Sequence, residues 1–365
     1  MLRHAGRPFP PQLVRDGAPT LLRVLATSEP LYVVSADEAE DVIADRLRQA
    51  LDLRLESAER AVQLGALDVD VLRALYRVEA EIEVADERDE GVSLIAVSAA
   101  QDQDELEPLL DLSSIPVATA IDRARLFVLA ERQSIPTAKA MVVSRAIDFA
   151  RNDSGRNGPD VGAMGQVFAP LILELLPTGD LVWFAGNAAR ALISAGEVNV
   201  GAEWLELSKA YARTSIEASD VAAAMWPIER QLRPSMMNRY TPLRFKRWEE
   251  SRPPGLVANN KTLVLSTLTA LGEPVAAADW MGLMDRRVRS SVDMPAPQIW
   301  NVLTLAAQDG RMGEVIMLSL IMLDEAGPSG SSPVILSHVI SSLMTVGLED
   351  EARLFAVEAA LIQGL

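Results

Sequence analysis

Apolar residues recur at helical spacing along most of the chain. Val42, Ile43, Leu47, Ala50, Leu51 and Leu55 fall on one face, which predicts a helix over residues 36–64. Ser35 and Glu38 read as a capping box at its start, and Gly65 as its stop. Leu72, Leu75, Tyr76 and Ile82 carry a second helix over residues 68–84. Pro116 and Pro136 each stand where a helix of about 16 residues begins, because a missing N–H costs nothing in the first turn. Helices follow over residues 161–176, 180–195 and 199–213. Trp226 and Pro227 then lead into an irregular basic stretch. From Asn259 the pattern resumes as helices over residues 259–271, 274–289, 297–309, 312–325, 333–346 and 349–362. Residues 1–35 read as a proline-rich arm with one short helix, residues 85–115 as an acidic connector, and residues 152–160 and 327–333 as loops. The apolar run at residues 92–97 is too short to assign to helix or strand.

The turns carry more information than the helices. Gly196, Gly272, Gly310 and Gly347 are 76, 38 and 37 residues apart, and each ends one apolar run and opens the next. Leu192, Leu268, Ala306 and Leu343 stand four residues before them. Gly201, Ala277, Val315 and Ala352 stand five after, and Trp204, Trp280, Leu318 and Phe355 eight after. A period in this range marks a repeat architecture, with glycine in a left-handed turn between paired helices. The expectation is an all-α fold: an α-solenoid of antiparallel helix pairs, a tetratricopeptide-like right-handed superhelix with a period of about 38. The slot near residue 234 holds Pro234, so the array breaks there. The expected segments are residues 1–35, 36–115, 116–229, 230–258 (a basic, aromatic, irregular insert) and 259–365.

Composition narrows the chemistry. The chain of 365 residues is 49% hydrophobic but only 5% aromatic, with 13 Met, which suits close helix packing. Net charge is −17, and residues 1–115 hold 24 acidic against 11 basic side chains. Nucleic acid and anionic membrane are repelled by the chain as a whole. With no Cys, thiolate catalysis and Cys-ligated metals are excluded, and His4 and His338 are the only imidazoles. No apolar stretch reaches membrane-spanning length. The start of the chain lacks a signal-peptide core, so the expected address is cytoplasmic, or periplasmic where a leader has been removed.

One stretch stands out against the acidic background. Residues 230–252 hold seven cations, Arg230, Arg233, Arg239, Arg244, Lys246, Arg247 and Arg252, interleaved with Tyr240, Phe245 and Trp248. Arginine beside exposed aromatics is the make-up of a binding hot spot. Two readings stand side by side. In one, Arg233, Arg239, Tyr240, Arg244, Phe245, Lys246, Arg247 and Trp248 bind an acidic protein partner. In the other, the cations pair within the chain and the aromatics are core. Asp153, Asn157 and Gly158 fit three positions of a calcium loop. Gly155 and Met164 stand where ligands are required, so the segment reads as an ordinary turn with no metal. The acidic runs at residues 79–90 and 102–111 read as solvated faces, and His338 as a packed seam residue. No cofactor, phosphate or nucleophile motif occurs, and the reading is of a chain that is not an enzyme and holds no cofactor.

The stretches from Leu181 to Gly196 and from Gly347 to Gly364 resemble an uncharacterised family of bacterial helical-repeat proteins, tetratricopeptide-like, some of whose members carry a label referring to antifreeze glycopeptides. The resemblance implies a helical-repeat fold over about residues 60–365 and export to the periplasm. It implies no activity. The function expected is a non-enzymatic interaction scaffold or adaptor, as a subunit of a larger assembly. The alternatives are a helical accessory domain of a cell-wall enzyme, or a regulator binding a small ligand between helices.

Overall fold

The computed structural model describes residues 40–87, 117–153, 159–251, 257–284, 295–323 and 327–365. Among these every regular element is helical, so the all-α expectation holds. The proline-rich arm, the Ser35 capping box, Pro116, Arg252, residues 88–115 and most of the 152–160 loop lie outside the described residues. The chain falls into two units, Met1–Leu175 and Leu176–Leu365.

The first unit holds α1 (Glu40–Gln63), α2 (Val69–Glu87), α3 (Ala120–Arg132), α4 (Pro136–Asp153) and α5 (Val161–Leu173). The helices α1, α2 and α5 pack on one another, and α3 packs on all four others. α3 begins at Ala120, four residues past Pro116. Thr119 accepts from the Asp122 N–H, and the Asp122 carboxylate accepts from the Thr119 N–H, a reciprocal cap that sets the start. Asp160 caps α5 by accepting from Ala163 N–H at 2.8 Å, and Gln63 of α1 donates to the same carboxylate at 3.1 Å. Asp160 is therefore a helix cap in the described structure. Tyr76, Phe127 and Phe168 form the aromatic spine of the core, with ring centroids 5.9 and 5.5 Å apart.

That core also encloses an ion pair. Arg123 is fully buried and grips Glu59, itself buried, through Nε at 2.8 Å and through Nη2. Its Nη1 donates to the carbonyls of Ala118 at 2.7 Å and Val117 at 3.2 Å. The buried Tyr76 hydroxyl donates to the same Glu59 carboxylate. Every polar atom of this trio that burial removes from water is given a partner, the condition for a buried charge to be tolerated.

The second unit begins with a 3-10 turn over Gly179–Phe184 and continues through α6 (Ala185–Ser194), α7 (Val198–Tyr211), α8 (Ile216–Leu232), α9 (Pro242–Glu250), α10 (Val257–Ala270), α11 (Ala277–Met284), α12 (Pro297–Gln308), α13 (Met312–Leu323), a short α14 (Gly327–Gly330), α15 (Pro333–Thr345) and α16 (Glu349–Ile362). The four glycines of the ladder have φ of +86°, +85°, +70° and +85°. Each donates its N–H to the carbonyl three residues back. The next residue's N–H reaches the carbonyls of Leu192, Leu268, Ala306 and Leu343 in turn. These are the two bonds of the left-handed helix stop. After Gly196, Gly310 and Gly347 the next helix starts at once, and the N–H of Gly201, Val315 and Ala352 closes its first turn.

Gly272 is the exception: α11 does not begin until Ala277, which is exposed. At the Gly196 and Gly347 turns the residue after glycine bends at ψ of 53° (Glu197) and 60° (Leu348). Glu273 precedes Pro274, which drives ψ toward roughly +120° to +160° and postpones the helix.

Two expectations are corrected here. The sequence pattern places no helix between residues 213 and 259, yet α8 runs from Ile216 to Leu232 with Pro227 inside it, capped by Ser215. Interior proline costs about 3 kcal/mol in a lone helix. Here Met225, Trp226, Pro227, Ile228 and Gln231 are buried, so packing offsets it. The insert at residues 230–258 is likewise not irregular throughout, since α9 occupies Pro242–Glu250 with Thr241 as its cap. Packing is also not confined to sequence neighbours. α10 packs on α15, and α8 packs on α16.

Candidate functional site

Residues 226–250 are organised by one side chain that sequence reading passed over. Asn238 is buried in the connection between α8 and α9. Its amide donates to Glu229 at 3.0 Å and to the Arg233 carbonyl at 2.9 Å. Its Oδ1 accepts from Ser235 N–H at 2.8 Å, Ser235 Oγ at 3.1 Å and Arg230 Nη1 at 3.0 Å, and its carbonyl accepts from Trp226 Nε1 at 2.8 Å. Nothing in a polar loop sequence distinguishes such an asparagine from a solvated one. Its environment is supplied by α8.

This arrangement splits the basic, aromatic stretch into an inner and an outer set. Tyr240, Phe245 and Trp248 are buried and form a ring series with Trp226, the consecutive centroids 6.4, 6.3 and 5.4 Å apart. The aromatic half of the binding expectation is thereby corrected: these rings are core, because α9 turns its Phe245 and Trp248 face inward. Tyr240 donates its hydroxyl to Asp279, and burial together with that carboxylate raises its pKa well above the ordinary value. Arg230 is also internal, paired with Glu273 through Nε at 2.8 Å. Lys261 of α10 closes on Glu249 of α9.

The outer set remains basic. Arg233, Arg239, Lys246 and Arg247 are exposed, and Arg244 is half-buried. Arg233 donates to Asn199 at 2.7 Å, and Arg247 donates to Ser219, both neutral acceptors. Among the described residues only Lys246 of these five has an ion-pair partner, Glu250 at 3.7 Å, one turn on along an open helix face. Such a pair contributes little. Between the cations stand Met236, Met237 and Leu243, exposed at 77%, 82% and 77%. The surface thus combines positive charge with apolar side chains exposed around a connection that Asn238 hydrogen-bonds together.

His338, on α15, stacks on Trp300 of α12, the rings 3.8 Å apart and nearly parallel at 6°. Burial lowers its pKa, against a contact to the Trp300 carbonyl that raises it. Among the described residues no group of three His, Cys, Asp or Glu side chains could hold a metal ion, and no helix is long and apolar enough to cross a membrane. Comparison with protein-family models, with curated proteins and with solved structures finds no match for this chain.

Proposed function

We propose that this protein is a non-enzymatic interaction scaffold whose α8–α9 surface binds an acidic protein segment carrying apolar side chains. The observation behind this reading is the outer set: Arg233, Arg239, Arg244, Lys246 and Arg247 concentrated beside Met236, Met237 and Leu243 on a chain of net charge −17. Fixed charge of the opposite sign steers and orients an acidic partner. Methionine and leucine re-pack around varied apolar groups, the use to which adaptable binding surfaces put them. The finer architecture, a superhelix of helix pairs related to tetratricopeptide-like bacterial repeat proteins, belongs to the same proposal. It is supported by the shared glycine stops, and qualified by the packing of α10 on α15.

Reversing charge at Arg239, Arg244 and Lys246 with Glu tests the proposal. Proteins captured from native cells by the unaltered chain should be lost, and capture by the unaltered chain should fall as salt rises. The melting temperature should stay within a few degrees, because none of the three holds a buried partner. Capture that survives the reversal, or a collapse of the fold on making it, would sink the proposal.

A further inference from the structure

The helix α13 has one charged side chain, Glu314, in 12 residues, and α12 has none. One side of this hairpin is accounted for. Val315 and Met322 of α13 and Leu303 and Ala306 of α12 are buried together with Ile335 and Val339 of α15. The other side is not. Met312, Ile316, Met317, Leu320 and Ile321 of α13, with Leu305 of α12, are between 42% and 61% exposed. A helix that is apolar all round is the pattern of a buried helix. These six side chains present on the order of 600 Å² of apolar surface, the upper end of what a lone monomer shows.

We infer that this face of α12–α13 is the interface between two copies of the chain. Area and charge both select that occupant. Two such faces pressed together bury on the order of 1,200 Å², which enters the range of specific interfaces. Two copies each of charge −17 repel overall, so a face where charge is sparse lets them approach at least cost. This hairpin is such a place. Among the described residues its nearest charges sit at the turn, where Arg311 pairs with Glu314 at 2.9 Å and with Asp309 at 3.4 Å. Among the described residues, no cation beside this face is without an acidic partner that would compete with one on an acidic protein or an anionic membrane. The exposed positions, Met312, Ile316 and Met317, then Leu320 and Ile321, repeat every three to four residues along α13. A two-fold axis crossing near Met317 would lay that stripe antiparallel on its own copy, apolar against apolar. The inference uses none of the side chains of the α8–α9 surface, so either can fail without the other.

Sedimentation of the full chain should give a dimer at micromolar concentration. Met317→Glu/Leu320→Glu should weaken it on the order of a hundredfold or more, while Ile216→Glu, at a residue exposed at 84% on α8, should leave it unchanged. A chain that stays monomeric to ~100 μM overturns the inference, as does a dimer indifferent to the two glutamates. The absence of cysteine supplies a second readout that does not depend on the charged variant folding. Met317→Cys should be joined copy to copy by a short bis-maleimide, and Ile216→Cys should not. Equal cross-linking of both, or of neither, overturns the inference.

Discussion

Glu59 shows how much rests on single side chains inside the first unit. It accepts both arms of the Arg123 fork and the Tyr76 hydroxyl, all buried. Removing it strands a guanidinium in the core, so Glu59→Ala should cost about 3–5 kcal/mol in denaturant unfolding. Tyr76→Phe removes one donor and leaves the fork intact, so it should cost only about 1 kcal/mol. Equal losses would mean that the carboxylate is not the hub. His338 offers a different test. Its pKa is lowered in the folded chain, so the unfolded chain binds the proton more readily. Stability should therefore rise with pH through the ordinary histidine range, and fall as pH drops below about 6.5. His338→Phe keeps a ring against Trp300 without a titrating group. Its melting temperature should decline less between neutral pH and about 5.5 than that of the unaltered chain. Parallel declines would rule His338 out.

At the scale of the element, two kinds of glycine make opposite predictions. Gly310 sits at φ +70° with open space around it, so what it supplies is backbone freedom. Gly310→Val should destabilise by about 1–3 kcal/mol through strain alone. Gly201 has ordinary helical geometry, but an added Cβ would lie 2.7 Å from Ile193 and 3.3 Å from the Ala189 carbonyl. Gly201→Ala should therefore cost stability, even though alanine is the better helix former. At Gly282, helical and with nothing within 4 Å, the same change should stabilise by about 0.5–1 kcal/mol. Thermal melts of the three variants separate the two roles. The glycine ladder was legible because a left-handed stop leaves a local signature. α8 was not, because an interior Pro227 argues against a helix until the packing that buries it is known. Pro274 acts in reverse: the sequence pattern starts a helix there, and the backbone restriction on Glu273 delays it.

For the whole molecule, local rules reached the helical class, the positions of most helices and the acidic balance. They follow from hydrophobic period, caps and glycine stops, each decided within a few residues. The same rules left the meaning of residues 230–252 open between core and surface. Contact with distant elements decided it. Glu273 takes Arg230, Asp279 takes the Tyr240 hydroxyl and α8 surrounds Asn238, while Arg239 and Lys246 stay outside. The pairing of α10 with α15 and of α8 with α16 was equally invisible, since no period in the chain states which non-adjacent helices meet. The exposed stripe on α13 makes the same point. In sequence it is indistinguishable from a core helix, and only the placement of α15 on one side of it reveals which apolar residues were left over. The sequence by itself determined where helices start, stop and turn, because those are short-range steric and hydrogen-bond matters. The tertiary structure alone decided which charges are spent inside and which face water, because that depends on what packs against them.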